Sequence, residues 1–132
     1  VGKKQISLNE IDCAVTFDLS GVRVKGQLRC KNKKDMTFTV KEPENLSGVV
    51  FSLSEVYKDE VRISYPEIKV ESPVYMLLSI MNDVWEKEIL LPYKGNFVFD
   101  GSVASSEYKI NFNCENESII SIQTHKLTYN FE

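Results

Sequence analysis

Apolar and polar positions alternate along most of this chain. In 12–19, Cys13, Val15, Phe17 and Leu19 share one phase, and Asp12, Thr16 and Asp18 the other. That period of two marks a strand with one covered face. Beyond a Ser20-Gly21 turn signal, Val22, Val24, Leu28 and Cys30 repeat it, with Arg23, Lys25, Gln27 and Arg29 opposite. Gly26 falls in the apolar phase, where a missing side chain marks a bulge or a sharp bend. A charged run, 31–35, leads to a third strand carrying Met36, Phe38 and Val40. The connection 42–48 contains Pro43, which has no N–H to donate, and ends at Gly48. A fourth strand, 49–53, and two shorter pieces, 55–58 and 61–65, follow. Pro66 ends the second piece, and Ile68 and Val70 lead onward.

The period changes at Ser72, and the spacing predicts a helix over 73–87. Ser72 is a good N-cap, and Pro73 fits the first helical position. Val74, Leu77, Leu78, Met81 and Trp85 form one stripe of a 3.6-residue period, widened by Tyr75, Met76 and Ile80. Ser79, Asn82, Asp83 and Glu86 fall opposite. Two readings stand: a core helix on a sheet, or a plug over an apolar cavity in a concave sheet. The methionines and the tryptophan suit an adaptable surface.

After the helix, 89–91 is apolar and Pro92 closes it. Phe97 and Phe99 share a phase, Gly101 marks a turn, and Tyr108, Ile110, Phe112 and Cys114 alternate with Lys109, Asn111 and Asn113. Ile120 and Ile122 are even-numbered, whereas Leu127, Tyr129 and Phe131 are odd-numbered. That slip predicts a bulge near 123–125. The chain therefore reads as roughly eight to ten short antiparallel strands with one late helix, an α+β pattern. Residues 1–11 read as an N-terminal tail, and 12–132 as a single domain.

Bulk properties narrow the function. With 132 residues, 42% hydrophobic and 27% charged, the chain can bury a core without a metal or disulfide staple. A net charge of −3 argues against nucleic-acid binding. Three cysteines, Cys13, Cys30 and Cys114, with one histidine do not make a zinc site. Cys13 and Cys30 lie on the first two predicted strands, where register decides between a disulfide and buried thiols. His125 has no nucleophile elbow to serve, and no calcium loop or glycine-rich phosphate cradle is present. These features lead to the expectation of a protein that is not an enzyme and has no metal or cofactor.

Three stretches carry a family likeness. The first is Phe38 to Gly48, FTVKEPENLSG, running into Val49–Phe51. The second is Val61 to Tyr65, then Ile68 to Val70, then Ser72-Pro73 opening the helix. The third is Tyr108 to Phe112, a turn, Ser118 to Ile122, and the closing Leu127 to Phe131. In that order they resemble small exported lipoproteins of Gram-positive gut bacteria with the fold of the lipoprotein-localisation carriers and receptors. The resemblance implies a strongly curved antiparallel sheet, an unclosed β-barrel, with the helix of 73–87 packed on its concave face. It implies export and anchoring at the bacterial cell surface through a lipidated cysteine upstream of Val1. It departs from the large carriers in its length and single helix, and no arginine inside the barrel can be assigned: Arg23, Arg29 and Arg62 fall in the outward phase.

The expectation is a domain that binds a lipid or other apolar ligand between sheet and helix. Candidate lining residues are Phe17, Leu28, Phe38, Val40 and Phe51 on the sheet and Leu77, Met81 and Trp85 on the helix. The alternative is a protein-interaction module with a filled core, docking a partner on an edge strand or on the 42–48 loop. A pocket of a few hundred Å3 between helix and sheet separates the two.

Overall fold

The computed structural model describes residues 2–63 and 72–132. The strands are β1 (Lys3–Ile6), β2 (Ile11–Leu19), β3 (Val22–Asn32), β4 (Asp35–Glu42), β5 (Val49–Ser52), β6 (Val56–Lys58) and β7 (Val61–Ile63). After the helix α1 (Pro73–Trp85) come β8 (Ile89–Pro92), β9 (Asn96–Val103), β10 (Ser106–Asn113), β11 (Ser118–Thr124) and β12 (Thr128–Phe131). This is an α+β fold dominated by antiparallel sheet. The expectations for Tyr65, Pro66, Ile68 and Val70 lie outside the described residues.

Among the described residues, ten strands form one unclosed sheet in the order β7-β6-β5-β4-β3-β2-β12-β11-β10-β9. Strands β2 to β7 are a meander of sequential neighbours, and β9 to β12 are a second one. The two join along a short seam, where Thr16 pairs with Asn130 and Val15 with Phe131. The Glu132 N–H adds a bond to the Ala14 carbonyl at 2.9 Å. The stretch read as an N-terminal tail contains β1, which pairs with β8 in a separate two-stranded sheet.

The covered face is built by the alternation read from the sequence. Directly paired residues share a face, so Cys13, Leu28 and Phe38 form one row, and Val15, Gly26 and Val40 the next. Gly26 is where the β3–β4 register shifts, and a β-carbon there would overlap the Phe38 ring and the Thr39 carbonyl oxygen. Only glycine lets the ring lie flat across the strand. Gly101 does the same for the Tyr108 ring. Hairpins at Ser20-Gly21, Asp59-Glu60 and Ala104-Ser105 have both central residues at positive φ. Those turns match the twist of the strands they join.

Ser72 caps the helix as expected: its Oγ accepts from the N–H groups of Val74 (3.2 Å) and Tyr75 (3.4 Å). The helix ends at Trp85 rather than Lys87. Val74, Leu77, Leu78, Ile80, Met81 and Val84 are buried. The polar strip is tied to the sheet. Tyr108 donates to Asp83 at 2.6 Å, Lys87 donates to the same carboxylate at 3.0 Å, and Asn82 donates to the Lys33 carbonyl at 2.6 Å.

One open alternative is decided and one local expectation is corrected. Cys13 and Cys30 are free thiols, because register puts Cys13 opposite Leu28 and Cys30 opposite Ile11. The two are diagonal neighbours, too far apart for a disulfide without moving backbone. The change of phase near the C-terminus is a hairpin, not a bulge at 123–125. β11 ends at Thr124 and β12 resumes at Thr128, with the Thr124 hydroxyl accepting from the N–H groups of Lys126 and Leu127. The irregularity lies earlier, opposite Asn111–Phe112, where Ile120 turns outward and is 36% exposed.

Candidate functional site

The eight residues predicted to line an apolar site do come together. Phe17, Leu28, Phe38, Val40, Leu77 and Met81 are buried in one hydrophobic cluster, and Phe51 and Trp85 pack against it half-buried. The contacts are those of a packed interior. The Phe17 ring lies 6.3 Å from Phe38 and meets Tyr129 edge-on at 5.2 Å. Tyr129 and Tyr108 carry hydroxyls into this core, and each finds a partner: Tyr129 donates to the Pro73 carbonyl at 2.6 Å and Tyr108 to Asp83. Burial first, and for Tyr108 the Asp83 carboxylate second, push both phenol pKa values far up.

An open polar hollow of about 720 Å3 lies at the β9–β10–β11 end. Its lining includes Lys87, Asp100, Tyr108, Lys109, Gln123 and His125. Lys109 is bonded to Asp100 at 2.7 Å, and Lys87 to Asp83. His125 is exposed, whereas Cys114 is buried beyond the far end of β10. Cys114 therefore does not sit beside His125 in this hollow.

A second hollow, of about 460 Å3, opens at the end of the seam between the two meanders. β2 has nine residues, but β12 has four. Ile11–Cys13 of β2, Ser118 and Ile119 of β11, and Phe131 and Glu132 line this slot together with Ile6–Glu10, Asn116 and Glu117. β12 runs antiparallel to both flanking strands, so those strands run parallel to each other. The Ala14 carbonyl points at β12, and backbone groups alternate sides along a strand. The Asp12 N–H and C=O are therefore aimed into the slot. Sequence reading missed this feature. Its lining comes from segments distant in sequence, which the pairing of β12 with β2 helps to bring together.

The helix packs against β4 and β5, and also against β9 at the other end of the sheet order. Among the described residues β9 is an eight-residue edge strand, and its Val98 is 48% exposed. Comparison with family models, curated proteins and solved structures gave no match.

Proposed function

We propose that this domain is a non-enzymatic interaction module with a filled core, recognising a protein partner at its sheet edges. One observation carries the reading. The residues that would wall an apolar cavity belong to or pack against one buried cluster, and none of those eight lines either hollow, although Tyr108 borders the first and Ile6 and Leu8 the second. A partner then has backbone edges to use. Among the described residues, β9 offers an eight-residue strand with no ladder partner on one side.

The same proposal includes a sheet bent around the helix into an unclosed barrel. In flat form, β4 and β9 would be six strand spacings apart, about 29 Å. A helix about 10–12 Å across touches both. Curvature of the sheet, with α1 on its concave side, reconciles the two distances. Export and surface anchoring rest on the family resemblance alone.

The test is a titration with a fluorescent fatty acid, read through Trp85, the single tryptophan. Half-buried against the core, Trp85 would report any chain entering between helix and sheet. The expected result is no saturable change. Saturable one-to-one uptake with quenching of Trp85 would overturn the filled-core reading in favour of an apolar-ligand carrier.

A further inference from the structure

We infer that β9 is a self-association edge: two copies of this chain join their sheets by pairing residues 96–100 with their own antiparallel copy, about a two-fold axis through Val98. The inference names a second copy as the partner of the interaction module proposed above and rests on that reading.

The backbone sets the phase. The Cys114 N–H donates to the Gly95 carbonyl at 2.9 Å, one position before the first β9–β10 pair, Asn96 with Asn113. That ladder runs on to Val103 with Ser106 without a register shift. Backbone groups alternate sides along a strand, so Phe97, Phe99, Gly101 and Val103 bond towards β10. The N–H and C=O groups of Asn96, Val98, Asp100 and Ser102 are aimed the other way, where β9 has no ladder partner among the described residues. β9 also lacks the devices that blunt an edge. No lysine, arginine or proline falls in Asn96–Val103, and its pairing with β10 has no bulge.

The side chains choose the partner and the register. A strand paired with its own copy repeats about a two-fold axis, and the placement of that axis decides which residues meet. Through Asp100, the axis puts two carboxylates opposite each other. Through Phe99 it sets Val98 against Asp100, and through Phe97 it sets Val98 against Asn96. Through Val98, each position finds a match: Val98 meets Val98, the Asn96 amide meets the Asp100 carboxylate, and Phe97 meets Phe99. Asn96, Val98 and Asp100 are exposed. Phe97 and Phe99 are half-buried at the margin of the core, so pairing covers what one copy leaves of them in water. Aromatic pairs directly opposite each other stabilise an antiparallel ladder. Lys109 already holds Asp100 at 2.7 Å, so each carboxylate enters the joint with its charge balanced. About six backbone hydrogen bonds would cross the axis, two from each of three pairs.

Sedimentation velocity of the 132-residue protein over a range of concentrations tests the association, and amide exchange tests its place. The average mass should climb from 15.1 kDa towards twice that value. At dilutions where the protein is a monomer, the amides of Asn96, Val98 and Asp100 should exchange fast and those of Phe97 and Phe99 slowly. At high concentration the first set should slow about tenfold. Two variants fix the axis. Val98→Lys and Val98→Glu alter a side chain that is 48% exposed, so both should fold. Each alone should associate about tenfold more weakly or worse, because like charges then face each other. An equimolar mixture of the two should recover the association. A mass independent of concentration, slow exchange of the Val98 amide in the dilute monomer, or a mixture no tighter than either variant alone would each overturn the inference. Fatty-acid uptake by the interior would instead sink the filled-core reading, which a protein that stays monomeric leaves standing.

Discussion

Replacing Gly26 by alanine tests how closely the two halves of the β3–β4 hairpin approach. The added methyl would meet the Phe38 ring and the Thr39 carbonyl oxygen, the second of which belongs to backbone. Phe38 is fully buried and packed against Phe17, so its ring has nowhere to swing. Overpacking of this kind costs about 1–3 kcal/mol. Removing a glycine from a strand returns about 0.5–1 kcal/mol. The net loss is then about 1–2 kcal/mol, or about 4–8 °C in Tm for a domain of this size. Urea unfolding followed by Trp85 fluorescence measures it. Phe38→Leu in the same chain relieves the clash, so the double variant should lose less than the sum of the two singles, by about 1 kcal/mol. A Gly26→Ala protein as stable as the parent, or strict additivity with Phe38→Leu, would refute the close approach.

Two further outcomes follow from the polar groups tied to the core. Burial alone would raise the pKa of Asp83, but hydrogen bonds from Tyr108 and Lys87 outweigh it and hold the carboxyl below its ordinary 3.8. A lowered folded pKa gives stability that is present above the unfolded value and lost as the pH falls through the folded one. Tyr108→Phe should cost about 1.5 kcal/mol at neutral pH and flatten the acid limb of a stability–pH curve, so an unchanged limb would contradict this role. Burial first, with the Asp12 charge second, pushes the Cys13 thiol up to about 11; burial, then Cys13 and Asp35, push Cys30 up to about 12. For these raised pKa values the stabilisation is complete below 9.0 and lost as the pH rises through about 11 and 12. At pH 8 a thiol reagent should label both slowly in the folded protein, and all three cysteines promptly once urea unfolds it; a count below three in the unfolded, unreduced protein would reveal a disulfide.

What could be read from the chain depended on how local each signal was. The helix was legible because its cap, its first-turn proline and its stripe lie within fourteen consecutive positions, Ser72 to Trp85. The long strands were legible because Cys13 to Leu19 and Tyr108 to Cys114 alternate without interruption. β1 was not, because Lys3–Ile6 has little pattern of its own and becomes a strand by pairing with β8, far along the chain. The same limit displaced the bulge: the parity of Ile122 and Tyr129 revealed a change of phase, but not that a hairpin makes it. Of the candidate site, the clustering of Phe17, Leu28, Phe38, Val40, Leu77 and Met81 was legible, since burial follows from periodicity. Whether they enclose space was not, because that depends on how rings such as Phe38 fill the groove over Gly26. The hydroxyl contacts of Tyr108 and Tyr129 were equally hidden, as each joins elements distant in sequence.

The helix is moored at both ends. Near its start the Tyr129 hydroxyl holds the Pro73 carbonyl, and near its finish Asn82 and Glu86 grip Lys33 in the β3–β4 turn. A flap that swings needs a loose end, and among the described residues both ends of this rod are tied. Its outermost turns should therefore not fray ahead of its middle: their amides should open to deuterium only when the sheet beneath them comes apart as well.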